Sequence, residues 1–277
     1  MELGFLTVPG AELYYELSGS GPLLLLIPGG TDDSRDFRGL VPLLETYFTV
    51  LTYDCRGVSR SRLIGTPTGV PVETQAEDAW DLLSQVGGGP AHVFGTSGGG
   101  QTGLELAARY PGAVTTLVTH EPPVARFLPE WDTRRDVVPG VCEIYRRQGA
   151  DRAMEAFVSG SGLTDVLDPV RHAPESPRAT LLAQERAVRM RGNLDHFLSR
   201  VLSFVVDYQP DIDALEASGT RIVVGVGGTS RNQFAHDTGL ALADRLGTSP
   251  VAFPGGHAGF VTHPVGFAAR LRELLGA

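Results

Sequence analysis

Residues 91–99, A-H-V-F-G-T-S-G-G, place Ser97 at the centre of a G-x-S-x-G pattern, between a short apolar run and an amphipathic stretch from Gly100 to Arg109. A serine on a sharp strand-to-helix turn has an exposed hydroxyl that can attack a carbonyl carbon. Gly95 and Gly99 serve that turn, because side chains there would collide with neighbouring backbone. The N–H of Gly98, at the start of the following helix, is placed to meet the oxyanion that forms during attack. The strand and helix patterns on either side separate this motif from a flexible glycine-rich loop.

Such a serine needs a general base. Among the histidines, His257 fits best, because it lies in the glycine-rich loop F-P-G-G-H-A-G-F just past the last apolar run, and strand ends of an open parallel sheet are where ligands bind. His263 precedes Pro264 and is expected to start the last helix; His92 packs in the sheet, His172 and His236 read as exposed, and His196 is a candidate pocket residue. The base in turn needs a carboxylate to hold its tautomer and stabilise its charge. After Arg221–Val226, where many proteins of this architecture carry that acid, the chain reads G-G-T-S-R-N, with no carboxylate before Asp237. One strand earlier, T-T-L-V-T-H-E-P-P ends with Glu121 at a strand tip, where its longer side chain can reach the same histidine. Glu121 is the preferred acid and Asp237 the reserve.

A second oxyanion donor is expected from the loop after Leu23–Ile27. In P-G-G-T-D-D, Gly29 and Gly30 let backbone approach a ligand closely, and the Gly30 N–H would act with that of Gly98. Each such donor is worth about 3 kcal/mol in a transition state.

These residues require a scaffold, and the sequence supplies one. Apolar or β-branched runs at Glu12–Leu17, Leu23–Ile27, Phe48–Tyr53, His92–Phe94, Thr115–Thr119, Arg221–Val226 and Val251–Phe253 alternate with helical patterns. That predicts an α/β fold with a mostly parallel sheet flanked by helices. Continuous apolar strands such as L-L-L-L-I belong in a sheet covered on both faces. The run A-E-L-Y-Y-E-L alternates and precedes S-G-S-G-P, which predicts an antiparallel hairpin at the sheet edge. From Pro122 to about Asp213 the strand pattern gives way to arginine-rich helical sequence punctuated by proline. The expected organisation is a core of residues 1–122 and 213–277 carrying a helical cap, 123–212. Leu128, Trp131, Phe197 and His196, together with Phe127, Met154, Phe157, Met190 and Phe204, are the candidates for an apolar pocket, with only a few expected to touch substrate.

Composition narrows the chemistry. The chain has 277 residues, a net charge of −9 and no lysine among its 23 basic residues. The acidic balance argues against nucleic-acid and anionic-membrane partners. Schiff-base catalysis, a P-loop lysine and a Ser-Lys dyad are excluded. Cys55 and Cys142 are far apart and match no metal-ligand spacing, so neither a disulfide framework nor a metal site is expected. The N-terminal residues lack a basic region and an adequate apolar stretch for a signal, which predicts a cytoplasmic location.

With Ser97, Glu121 and His257 in that order, the chain resembles the α/β-hydrolase superfamily over nearly its whole length. Finer motifs are similar to lactonases that open the macrocyclic resorcylic lactone zearalenone, and to related actinobacterial hydrolases. They are Y-Y-E-L-S-G-S-G-P, Y-D-C-R-G-V-S-R-S, G-T-S-G-G, H-E-P-P and P-G-G-H-A-G-F-V-T-H-P. In those enzymes the triad acid is the glutamate of His-Glu, which maps onto Glu121. The chain departs from them at Gly29-Gly30, where they have Asp-Gly, and late in the cap, where N-L-D-H-F-L-S-R offers His196 or Phe197 in place of a pocket tryptophan.

The expected activity is cofactor-free acyl transfer from a small hydrophobic ester or lactone, including macrolactones of the zearalenone type. C–C bond or thioester hydrolysis on the same scaffold, and ligand binding without turnover, are the alternatives. Homodimeric assembly is left open by the sequence.

Overall fold

Within Leu23–Ile27 the side chains alternate between two separate interiors. Leu24 and Leu26 pack in a cluster with Phe37, Phe94 and Phe267, whereas Leu25 and Ile27 belong with Leu51, Val93 and Leu104. Successive side chains of a strand point to opposite faces, so an uninterrupted apolar run requires helices on both sides. Each leucine buried in this way contributes roughly 1.5–3 kcal/mol.

The computed structural model describes residues 1–65, 69–87, 89–129, 137–161 and 174–277. Among them the strands are β1 (Glu2–Val8), β2 (Ala11–Gly19), β3 (Leu23–Ile27), β4 (Thr49–Tyr53), β5 (Arg62–Leu63), β6 (Ala91–Thr96), β7 (Val114–His120), β8 (Arg221–Gly227) and β9 (Val251–Phe253). They form one sheet in the order β1-β2-β4-β3-β6-β7-β8-β9, with β5 on β2. From β4 to β9 every neighbouring pair is parallel. The pairs made by β2 are antiparallel.

The helices are α1 (Val41–Leu44), α2 (Val72–Val86), α3 (Gly98–Arg109), α4 (Val137–Gln148), α5 (Ala150–Ser161), α6 (Pro177–His196), α7 (Leu202–Asp207), α8 (Ile212–Ala217), α9 (Phe234–Arg245), α10 (Gly259–Thr262) and α11 (Pro264–Leu275). One sheet face is covered by α2, α3, α8 and α9, the other by α1, α10 and α11. No helix among the described residues is long and apolar enough to cross a membrane.

The edge hairpin lies one turn earlier than the sequence predicts. β1 and β2 pair across Pro9-Gly10, with Gly10 at φ +80°, while the Ser18–Pro22 turn leads to β3, which pairs with β4 and β6. β1 escapes a periodicity argument because its apolar residues fall on both faces, with Leu3 and Phe5 exposed at the edge of the sheet.

Between β7 and β8 the described residues are helical and enclose their own apolar cluster around Val141, Met154, Phe197 and Leu202. α6 starts where Ser176 accepts the Ala179 N–H at 3.1 Å and Pro177 occupies the first turn, an N-cap arrangement that supplies one unpaired helical donor with a partner. It ends in a π-helical turn, Phe197–Val201. The helix is tied to the loop after β3: Asn193 Nδ2 donates to the Thr31 carbonyl at 2.9 Å, and Arg189 Nε to Asp33 Oδ1 at 3.2 Å.

Candidate active site

The turn between β6 and α3 is set by steric necessity. Ser97 has φ +53° and ψ −125°, in the half of conformational space that side chains rarely occupy. Its N–H donates to the His120 carbonyl at 2.9 Å, which fixes the turn against the end of β7. A Cβ on Gly95 would stand 2.3 Å from the Gly99 oxygen, and one on Gly99 would stand 2.3 Å from the Ile27 oxygen. Both neighbours are backbone atoms, of α3 and of β3, and cannot swing aside. Gly99→Ala is therefore expected to destabilise the protein by at least about 2 kcal/mol, measured by thermal or urea unfolding; an unchanged midpoint would contradict the elbow geometry.

Glu121 follows β7 at φ +49°, with its N–H bonded to the Gly225 carbonyl at 3.0 Å. Its carboxylate is fully buried, and Oε2 lies 2.8 Å from His257 Nδ1. Oε1 accepts the Gly227 N–H at 2.8 Å and the Ser230 hydroxyl. The turn after β8, where the sequence offers no acid, thus supplies the donors that hold an acid coming from the neighbouring strand. Burial, the strongest single influence on Glu121, pushes its pKa up, but the hydrogen bond from His257, the nearby His120 and the Ser230 hydroxyl together bring it down to about 2. Ser230 escapes sequence reasoning; the available signal is a hydroxyl residue in a strand-end turn that lacks the expected carboxylate.

His257 is buried in the loop between β9 and α10. With a carboxylate at Nδ1, the neutral ring carries its proton there and leaves Nε2 as an acceptor, an assignment inferred from the hydrogen bond. Asp237, the reserve acid, lies instead on α9, half exposed and 3.5 Å from His236 Nδ1. His236 is buried, contrary to the exposed position expected from sequence, because α9 packs against β8 and the Ala125–Phe127 turn. His92 lies edge-on to Phe48 in the sheet and His263 precedes α11, both as expected; His172 falls outside the described residues. His120 is wholly buried against Phe253 and Phe267, and burial lowers its pKa to about 4.

Ser97 and His257 line one cavity, together with Gly29, Gly30 and Gly98. A Cβ on Gly29 would come within 2.8 Å of Ser97 Cβ, so only glycine allows the β3 loop to lie beside the serine. The Gly30 nitrogen is 3.5 Å from the point where a Gly98 Cβ would stand, so the two glycines lie close together. Neither N–H donates a hydrogen bond among the described residues. These are two unpaired backbone donors, among the described residues, on glycines that line the same cavity as Ser97.

The apolar wall includes Met154, Phe157, Met190, Phe197 and Val205. Phe197 stands over Gly30, 3.2 Å from the position of an added Cβ. Other pocket expectations are corrected. Leu128 is buried after the Ala125–Phe127 turn and is not part of the cavity wall. His196 packs its ring on Gly57 in the loop after β4. Phe127 lies beneath the Arg245 guanidinium, and Phe204 packs on Gly69. Trp131 falls outside the described residues. The sequence also gives no hint of the polar end of the cavity, formed by Thr31, Asp32 and Arg186. The cavity has room for the centres of water-sized spheres over about 60 Å³.

A family model described as the α/β hydrolase fold matches residues 22–159. The chain is 32% identical over 276 residues to the uncharacterized hydrolase YraK of Bacillus subtilis strain 168, a match spanning 98% of this chain and 95% of that protein. It is 36% identical over 123 residues to a zearalenone hydrolase of Cladophialophora bantiana, covering 43% of this chain and 46% of that one. Its backbone superposes on the crystal structure of a hydrolase from Pseudomonas aeruginosa with a TM-score of 0.75, at 25% identity, over 99% of this chain and 98% of the other.

Proposed function

The chain belongs to the α/β-hydrolase family, and from that premise we propose that it is a serine hydrolase cleaving an ester or lactone of a small hydrophobic substrate through an acyl-enzyme. The observation that carries this reading is Glu121 Oε2 at 2.8 Å from His257 Nδ1, with the histidine lining the same cavity as Ser97. Glu121 holds the proton on Nδ1, so Nε2 takes the proton of the Ser97 hydroxyl as Oγ bonds to the substrate carbonyl carbon. The electron pair displaced onto the carbonyl oxygen is met by the N–H groups of Gly30 and Gly98. As the tetrahedral species collapses, the alcohol leaves with the proton from His257. Water then attacks the acyl-enzyme, giving its proton to Nε2, and the acid departs as Oγ is reprotonated.

In this reading residues 123–212 are a cap over a core of residues 1–122 and 213–277, and Phe197 is the cap residue nearest the oxyanion donors. The zearalenone hydrolase relative makes a resorcylic macrolactone a candidate substrate.

The test is hydrolysis by the wild-type protein of a panel of p-nitrophenyl esters of graded chain length together with zearalenone. Turnover is expected to be fastest on a short-to-medium acyl chain, with kcat on the order of 1–1,000 s⁻¹. Tight binding of panel members without turnover of any would refute the hydrolase reading and make the protein a ligand binder on this scaffold.

A further inference from the structure

The cavity is apolar over most of its wall but ends in a buried guanidinium. Arg186, on α6, is only 4% exposed and lines the cavity beside Thr31 and Asp32. Its Nη2 lies 2.7 Å from Asp32 Oδ1 and donates to Oδ2 at 2.9 Å, and its Nε faces Asp36 Oδ2 at 3.3 Å. Nη1 donates to no group among the described residues. Around it Arg189 pairs with Asp33 and Asp36, and Arg35 with Asp33, while burial and the neighbouring Asp32 push the Asp36 carboxyl up to about 8, so the charge of Arg186 is met by Asp32. Arg186 therefore combines a planar donor edge with a charge that is already compensated. Donors left unpaired in apolar surroundings favour ligands that bring an acceptor and reject those that do not. An anionic group would instead face the Asp32 carboxylate, which lines the same cavity and already accepts from Arg186 Nη2.

We infer that Arg186 determines specificity by donating from Nη1 to an uncharged carbonyl oxygen carried by the substrate away from the scissile bond, so that keto-esters or keto-lactones are the preferred class. This rests on the hydrolase reading above. Arg186 touches the bound substrate but takes no part in bond cleavage.

The test compares p-nitrophenyl levulinate, which carries a ketone, with p-nitrophenyl valerate and p-nitrophenyl hydrogen glutarate. The proteins are wild type, Arg186→Met, and Arg186→Met combined with Asp32→Asn, the last removing both charges in case the single variant fails to fold. In the wild type, kcat/KM for levulinate is expected to exceed that for valerate by roughly tenfold or more, the consequence of leaving buried donors unpaired. In the variants the ratio falls towards unity. A residue that only braces α6 would lower all three substrates in proportion and leave the ratio unchanged. A wild-type ratio near unity, a ratio that survives loss of Arg186, or glutarate as the best substrate would overturn the inference. Calorimetric binding of levulinyl and valeryl p-nitroanilide to Ser97→Ala, with and without Arg186→Met, needs no turnover. Tighter levulinyl binding that depends on Arg186 supports the subsite even if no ester is hydrolysed; equal binding of the two anilides overturns it whether or not esters are cleaved.

Discussion

Ser97→Ala is expected to lower kcat on the best ester of the panel by roughly four to six orders of magnitude. Alanine can take the same strained turn, because the backbone bonds that set it, from the Ser97 N–H to His120 and from the Gly100 N–H to the Ser97 carbonyl, do not involve the side chain. The Ser97 hydroxyl makes no hydrogen bond among the described residues, so its removal leaves no buried partner unpaired. Activity should therefore collapse with little change in unfolding midpoint. Steady-state kinetics and circular-dichroism melts on the same preparation check both halves, and a loss below tenfold would contradict a nucleophilic role.

Glu121→Gln is expected to cost roughly three to four orders of magnitude in kcat, for a reason that lies in the hydrogen-bond directions. Oε1 accepts from Gly227 N–H and Ser230 O–H, so a glutamine keeps its carbonyl oxygen there and turns its amide towards His257. The ring must then accept at Nδ1 and carry its proton on Nε2, where it can no longer take one from Ser97. Asp237→Asn should leave the rate within about twofold, as expected of a surface substitution away from the site. The same substitution at Glu121 has a signature in stability. Its pKa falls from an ordinary 4.5 to about 2 on folding, so ionisation of this group stabilises the native state fully above about pH 4.5, and the contribution is lost as pH falls through about 2. The amount is on the order of 3 kcal/mol. Urea unfolding between about pH 5 and pH 2 should show a steeper fall for the wild type than for Glu121→Gln. Parallel curves would contradict the assignment.

Much of this was legible in the sequence because it depends on local constraint. The continuous run of β3 demands two covered faces, and G-x-S-x-G demands a turn in which only glycine fits beside the serine. Glu121 and His257 are legible because each follows a readable strand. Ser230 is not, since its value depends on β8 lying in register beside β7 and bringing the Gly227–Ser230 turn against Glu121. Adjacent positions at the end of α6 show the same limit. His196 and Phe197 are equally suited to a pocket by type, and which of them faces Ser97 is settled by how the helix and its π-helical turn dock on the loops after β3 and β4. Arg186 is one of several arginines on α6, and its burial follows only from the meeting of α6 with Asp32 and Asp36. β1 and β5 carry no readable strand signal, because one has apolar residues on both faces and the other is two residues long.

The most direct test of the central claim is mass spectrometry of the wild-type protein acid-quenched during turnover of a p-nitrophenyl ester. The account predicts a burst of p-nitrophenol and an acyl group on the peptide containing Ser97, absent from Ser97→Ala. Turnover with no acyl adduct on that peptide, or with the adduct on another residue, would contradict it.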